Sequence, residues 1–230
     1  MNTNLIGISG KIGSGKDTVA HIIQYLTLDP EVFSMKDEDI LADLEHKSYV
    51  ASKSRYKIKK FAGKLKTMAS LLTGIPVEKF EDQEFKKEEL GIEWSYPYPG
   101  EYYDDGQPVM VRMSVRQLLQ KLGTEAMREG LHTNVWVNAL MADYHPIKLS
   151  QDNPSYWLVT DTRFPNEAEA IKERGGLLLR IERPGAATGT HASETALDDY
   201  PFEYVIVNDG DLHDLIRKVK KLMIDLNIIP

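Results

Sequence analysis

The chain has 230 residues, with 28 Lys and Arg against 35 Asp and Glu, a formal net charge of −7. That length suits one domain with an inserted lobe, and an acidic balance argues against a surface built for nucleic acid or anionic lipid. With no cysteine there is no disulfide framework and no thiolate metal or nucleophilic site, and with no long apolar run and no cationic leader the sequence predicts a soluble cytoplasmic protein.

Leu5–Ser9 is a short apolar strand that runs directly into Gly10-Lys-Ile-Gly-Ser-Gly-Lys16. From Asp17 to Leu28, the positions Val19, Ile22, Ile23 and Leu26 recur at helical spacing, and Pro30 closes the element. Met35–Lys53 is charged and helical in part, with Ile40, Leu41 and Leu44 as its buried face. Tyr56–Phe61 alternates as a strand does. Ala62–Thr73 reads as a helix with Leu65, Met68, Ala69 and Leu72 on one side and Gly74 as its stop. Glu78–Glu89 is expected to be a further charged helix.

The character then changes. Trp94–Pro108 is rich in Pro, Gly and Tyr, which predicts an irregular, hairpin-like excursion leading into Val109–Arg112. Ser114 is a natural N-cap for a helix over Val115–Leu122, and Asn134 for one over Val135–Tyr144. Tyr156–Thr160 is a buried strand ending at Asp161. A helix starts at Pro165, runs to about Arg174 and stops at Gly175-Gly176. Leu177–Ile181 and Tyr204–Val207 are strands, and Leu212–Leu226 is a closing helix. Strands separated by helices predict an α/β fold with a central parallel sheet flanked by helices.

Gly10-x4-Gly15-Lys16 has the spacing of a phosphate-binding loop in the context that motif requires, after a strand and before a helix. Glycines let the backbone curl so that successive N–H groups and the helix N-terminus face phosphate oxygens. Lys16 adds a positive charge near the β- and γ-phosphates of a nucleotide. Asp17 stands where Ser or Thr would ordinarily ligate Mg²⁺, with the Thr18 hydroxyl one position later. The bland alternative is a glycine-rich turn with a solvated lysine, against which the flanking strand and helix weigh.

Asp161 ends an apolar strand, where the crevice of a parallel sheet lies, so Asp161, Arg163 and Glu167 fall near any phosphate held by the loop. A helix cap or ion pair would explain the same residues. Lys66, Arg116 and Arg128 taken singly suit solvated helix faces, yet phosphoryl transfer needs several gathered cations. Trp136 is either core packing or a face for a base. His191 has no second histidine near it in sequence, which favours capping over metal binding.

Taken together, Gly10–Ala20, Phe61-Ala-x-x-Leu-Lys66, Arg116-Gln-Leu-Leu-Gln-Lys-Leu-Gly-Thr-Glu125, Trp136-Val, Asp161-Thr-Arg-Phe-Pro-Asn-Glu-Ala168 and His191-Ala-Ser-Glu194 resemble, in that order, the deoxynucleoside monophosphate kinases of tailed bacteriophages and their prophage relatives. The similarity runs from Leu5 to about Asn208. Gly-Lys-Asp in the loop is usual in that group, whereas Trp94–Pro108 matches nothing in it. The resemblance implies a three-layer P-loop kinase fold over residues 1–230, with a monophosphate-binding insertion at about 30–150. It implies ATP as donor, Mg²⁺, and a deoxynucleoside 5′-monophosphate as acceptor. Gly13, Ser14, Gly15, Lys16, Asp17 and Thr18 would hold ATP, with Asp17 on the metal. Lys11 would lean toward the acceptor phosphate. Arg116, Gly123, Thr124, Trp136, Asp161, Arg163 and Glu167 would line the monophosphate site, with Lys66 and Arg128 beside them. Lys16, Asp161 and Arg163 would carry catalysis. Homodimerisation also follows from the resemblance, and action without nucleic acid or membrane fits it.

The acceptor phosphate already presents a nucleophilic oxygen, so in-line attack needs alignment and charge compensation more than a strong base. Excluding water calls for a cover, and Arg180–Thr190 is the candidate. Two alternatives stand beside this reading: another P-loop small-molecule kinase (nucleoside, dephospho-coenzyme A or phosphomevalonate type), or a P-loop ATPase acting on DNA.

Overall fold

Five residues, Leu5–Ser9, form a strand (β1) buried along its whole length, as expected of a central strand covered on both faces. The computed structural model describes residues 3–29, 36–45, 48–146, 155–186 and 195–230. Pro30, Met35 and His191 lie outside the described residues. The chain divides into two compact units, residues 1–61 with 140–230, and residues 62–139.

The first unit is built on a parallel sheet. Its strands are β1, Lys57–Lys59 (β2), Trp157–Val159 (β5), Leu177–Glu182 (β6) and Tyr204–Val207 (β7), in the order β2-β5-β1-β6-β7. Every pairing is parallel; Gly7 lies opposite Val159 on one side of β1 and Leu178 on the other. Chain order reverses around β1, which opens a crevice at the carboxyl ends of β1 and its neighbours. Helices Lys16–Leu26 (α1), Asp37–Glu45 (α2), Ser48–Lys53 (α3) and Leu212–Asp225 (α8) belong to this unit, as does Pro165–Glu173 (α7). Val19, Ile22, Ile23 and Leu26 of α1 are fully buried, in one apolar cluster with Ile6 and Ile8 of β1, Ile40 of α2, and Ile216, Val219 and Met223 of α8. Gly7 faces the other way: a Cβ there would meet Ile171 Cδ1 of α7 at 2.5 Å. Sheet and helices thus form three layers.

Ile40 is fully buried as expected, while Leu41 and Leu44 only flank the core. Tyr56 is also fully buried; its hydroxyl donates to the Thr3 carbonyl at 2.6 Å, and burial pushes its phenol pKa up to about 12.

The second unit is less regular. Its long helix, Ala62–Thr73 (α4), has the expected bounds and ends at Gly74, whose φ of 71° is the left-handed stop. The expected buried face differs: Leu72 is exposed, and Lys66 is buried instead. Residues 78–89 are not a regular helix but two short 3₁₀ turns, Val77–Glu81 and Phe85–Lys87. The cause is Asp82, whose Oδ1 accepts from the backbone N–H of Glu84 at 2.8 Å and of Phe85 at 3.3 Å, an Asx turn that competes with the helix. Those bonds hold its carboxyl below the usual carboxylate range. The Pro- and Tyr-rich stretch is an irregular hairpin, Tyr96–Tyr102 (β3) against Pro108–Val111 (β4). Ser114 caps Val115–Gln120 (α5) in a capping box with Gln117. Beyond α5 the helix widens into nine residues of π-helix, Lys121–Glu129, with Gly130 N–H bonding the Glu125 carbonyl five residues back at 3.0 Å. Val135–Met141 (α6) follows, ending three residues short of the Tyr144 expected. Phe80, Ala69, Leu90, Val115 and Leu118 form this unit's small core.

Candidate active site

Strand β1 delivers Gly10 to Gly15 at the carboxyl end of the sheet, where α1 begins. Gly10, Gly13 and Gly15 all have positive φ, at 154°, 76° and 101°. A Cβ on Gly10 would come within 2.5 Å of the Ile181 carbonyl oxygen, so a side chain there is excluded by backbone as well as by conformation. Asn208 clamps the far side of the loop, its Nδ2 donating to the Ser14 carbonyl at 2.9 Å. Ser14 Oγ is buried and has no hydrogen-bond partner among the described residues, the kind of orphan that points to a ligand oxygen. Lys16 is folded over the loop, with Nζ donating to the carbonyls of Gly10 at 2.7 Å and Lys11 at 2.8 Å. A phosphate oxygen is a stronger partner for an ammonium than either carbonyl.

Asp17 is the first acidic residue of α1; its carboxylate is well exposed and lies 3.7 Å from Lys60 Nζ. Among the described residues no three His, Cys, Asp or Glu side chains group closely enough to cage a metal.

Beside the loop, Asp161 stands two residues past the end of β5. Its Oδ1 accepts from the backbone N–H of Phe61 at 2.8 Å, tying the end of β5 to the segment after β2. Glu167, almost fully buried, accepts from the backbone N–H of Arg163 at 2.8 Å and of Phe164 at 3.1 Å, a cap on the first turn of α7. The Glu167 carboxylate thus fixes the backbone that carries Arg163. Arg180, expected both in the strand Leu177–Ile181 and at the start of a mobile cover, is buried in β6, and residues 187–190 of that cover lie outside the described residues.

Within the second unit, the π-helix carries three expected monophosphate residues, Gly123, Thr124 and Arg128, and Arg116 sits exposed on α5. π-helical turns recur at functional sites because a wide turn re-aims side chains. Trp136 is buried, and its Nε1 donates to the Gly123 carbonyl at 2.9 Å, so its indole pins the wide turn from the core side. Lys66 Nζ pairs with Glu81 at 2.5 Å. Sequence reasoning missed Lys60, Asp198 and Asn208, whose partners are remote in sequence, and placed Arg180 in a strand without its link to Ser9 and Asp198.

A five-stranded parallel sheet whose central strand feeds a glycine loop into a helix defines the class: this is a three-layer α/β protein with the P-loop kinase fold. The sequence model of the family described as deoxynucleotide monophosphate kinase matches residues 106–219. The deoxynucleotide monophosphate kinase of Enterobacteria phage T4 is 32% identical over 111 residues, 48% of this chain and 45% of that protein. That of Escherichia phage RB69 is 31% identical with the same coverage. The deoxynucleoside-5′-monophosphate kinase of Escherichia phage T5 is 27% identical over 241 aligned positions, 93% of this chain and 89% of that protein. The chain therefore spans about half of two of these relatives and nearly all of the third. The chain is thus similar to phage deoxynucleotide monophosphate kinases, over about half its length at 31–32% identity and over nearly all of it at 27%.

Among the described residues no helix is long and apolar enough to cross a membrane.

Proposed function

We propose that this protein is a deoxynucleoside monophosphate kinase, transferring the γ-phosphoryl group of ATP to a dNMP to give dNDP and ADP in DNA precursor synthesis. The observation that carries the reading is the loop at the carboxyl end of β1, with Lys16 folded across it and the Ser14 hydroxyl buried without a partner among the described residues. In this reading Gly13, Ser14, Gly15, Lys16 and Thr18 hold the triphosphate, and Lys16 follows the charge that migrates with the phosphoryl group. Asp17 would hold Mg²⁺, which would supply charge neutralisation at the phosphates.

On the acceptor side, Arg163 grips the monophosphate through its planar fork, on backbone that Glu167 fixes. Asp161 acts at the same end of the sheet, and Lys11 reaches toward the acceptor phosphate. By the family resemblance Lys66, Arg116, Gly123, Thr124 and Arg128 are further monophosphate residues, and Trp136 bonds the turn that bears Gly123 and Thr124. By kinship the enzyme would act in a host's cytoplasm as a homodimer, on free nucleotides rather than nucleic acid. Attack is in-line, and rate comes from alignment and charge compensation.

The test is a coupled ADP-release assay with dAMP, dCMP, dGMP, dTMP and the matching ribonucleotides. One or more deoxynucleotides should raise ADP release well above ATP alone. Release that no monophosphate stimulates, but that a nucleoside, dephospho-coenzyme A or DNA does, would overturn the assignment in favour of the corresponding alternative.

A further inference from the structure

Lys11 lies inside the phosphate loop, yet its ammonium is engaged by a carboxylate from a distant part of the chain. Lys11 Nζ donates to Asp198 Oδ2 at 2.6 Å, across 187 positions in sequence. The other carboxylate oxygen, Oδ1, accepts from Arg180 Nη2 at 3.2 Å. Arg180 is held in turn from within: its Nη1 donates to Ser9 Oγ, at the end of β1, at 3.1 Å, and its guanidinium carbon lies 5.5 Å from the centre of the Phe202 ring. Register pairs Ser9 and Arg180 directly across the β1–β6 ladder. The Asp198 carboxylate therefore lies between a buried, stacked arginine, which bonds Oδ1, and Lys11, whose Nζ spans both oxygens and is 2.5 Å from Oδ1.

The two cations differ in freedom. Both side chains are mostly buried, 11% exposed for Arg180 and 18% for Lys11; Arg180 is a rigid guanidinium bonded to Ser9 and stacked on Phe202, and Lys11 ends a flexible four-carbon stem beside the glycine loop. One carboxylate shared by two cations leaves a net positive charge in the cluster. A phosphate carries more charge than a carboxylate and more acceptor oxygens, so it competes for the cation that can move.

We propose that Asp198 is a positioning residue of the phosphate loop: it holds Lys11 against Arg180 and competes for that ammonium with the phosphates of a bound nucleotide, keeping Arg180 when Lys11 leaves. The inference rests on reading the loop as a phosphate site and deepens it by assigning what sets the position and availability of Lys11. Asp198 then tempers phosphate affinity and, through the segment that also carries Phe202, ties loop occupancy to the 195–202 stretch of chain.

The test measures tripolyphosphate affinity by calorimetry in wild type, Asp198→Asn, Lys11→Ala and the double variant. Asp198→Asn should bind about two- to tenfold more tightly, the scale of a partly exposed ion pair converted to affinity. Lys11→Ala should bind more weakly, and adding Asp198→Asn to it should change affinity by less than about twofold. An unchanged or weakened affinity in Asp198→Asn overturns the proposal, as does an equal gain in the Lys11→Ala background. If wild type binds no tripolyphosphate, or binds it equally well after Lys16→Ala, the phosphate-loop reading itself falls. Should Asp198→Asn fail to fold, the wild-type carboxyl can be followed by carbon NMR. Its pKa, held below the usual range first by the hydrogen bond from Lys11, should rise when tripolyphosphate saturates the loop; a titration that tripolyphosphate leaves unmoved overturns the proposal.

Discussion

The two units stabilise themselves by different means. In the sheet unit, β1, β5 and most of β6 are buried, and Gly10 and Gly15 are hemmed in by Ile181 and Asn208. In the 62–139 unit the apolar core is small, Leu71 and Tyr102 are largely exposed, and single polar contacts decide the backbone: Asp82 splits one helix, Ser114 starts another, and Trp136 holds a π-turn. The contrast matches the chemistry proposed for each. A triphosphate needs backbone N–H groups fixed before it arrives, which a packed sheet provides. An acceptor site that must sort nucleotides is better served by side chains on adjustable turns.

Breaking the first half of this contrast should have the largest effect. Lys16→Ala should lower phosphoryl transfer by on the order of a hundredfold or more, as for loss of one preorganised charge. Its melting temperature should stay near wild type, because Lys16 Nζ is held by two carbonyls of the loop itself and not by the packed core. Near-normal turnover by the folded variant at saturating ATP would remove the loop from the reaction.

Gly7→Ala tests packing rather than charge. Its Cβ would meet Ile171 Cδ1 at 2.5 Å and Leu178 Cδ2 at 2.8 Å, both in a filled core. Overpacking there should cost about 1–3 kcal/mol, read by urea denaturation. A neutral result would mean that the sheet unit yields as readily as its neighbour.

Trp136→Phe probes the second unit. It removes the donor to the Gly123 carbonyl while keeping an aromatic ring, at an expected cost of about 1–2 kcal/mol. Kinetically, KM for the monophosphate should rise severalfold while ATP affinity stays unchanged. Equal losses of both affinities would contradict this division of labour between the units.

What the sequence disclosed and what it hid follow the same line. The loop, β1, α1 and α7 were legible because their signals are local: apolar periodicity, glycine spacing, and Pro165 as the first helical residue. The bounds of α4 came out as expected, but its buried face did not, because Lys66 is drawn inward by Glu81, fifteen residues on. The helix expected at 78–89 was overruled by one carboxylate, Asp82. No periodicity signals the π-turn, which depends in part on Trp136 reaching thirteen residues back. In the candidate site, the motif residues were legible as candidates, whereas those joined to them only through the fold were not. Asn208 reaches the loop across 194 positions, and Asp198 across 187.

The central claim is that the loop activates ATP toward a nucleotide phosphate rather than toward water or DNA. A single-turnover reaction with γ-labelled ATP and an equimolar mixture of the four deoxynucleoside monophosphates tests it most directly. Label should move into deoxynucleoside diphosphate, with little free phosphate, and Lys16→Ala should stop the movement. Label released only as inorganic phosphate, with the monophosphates unchanged, would contradict it.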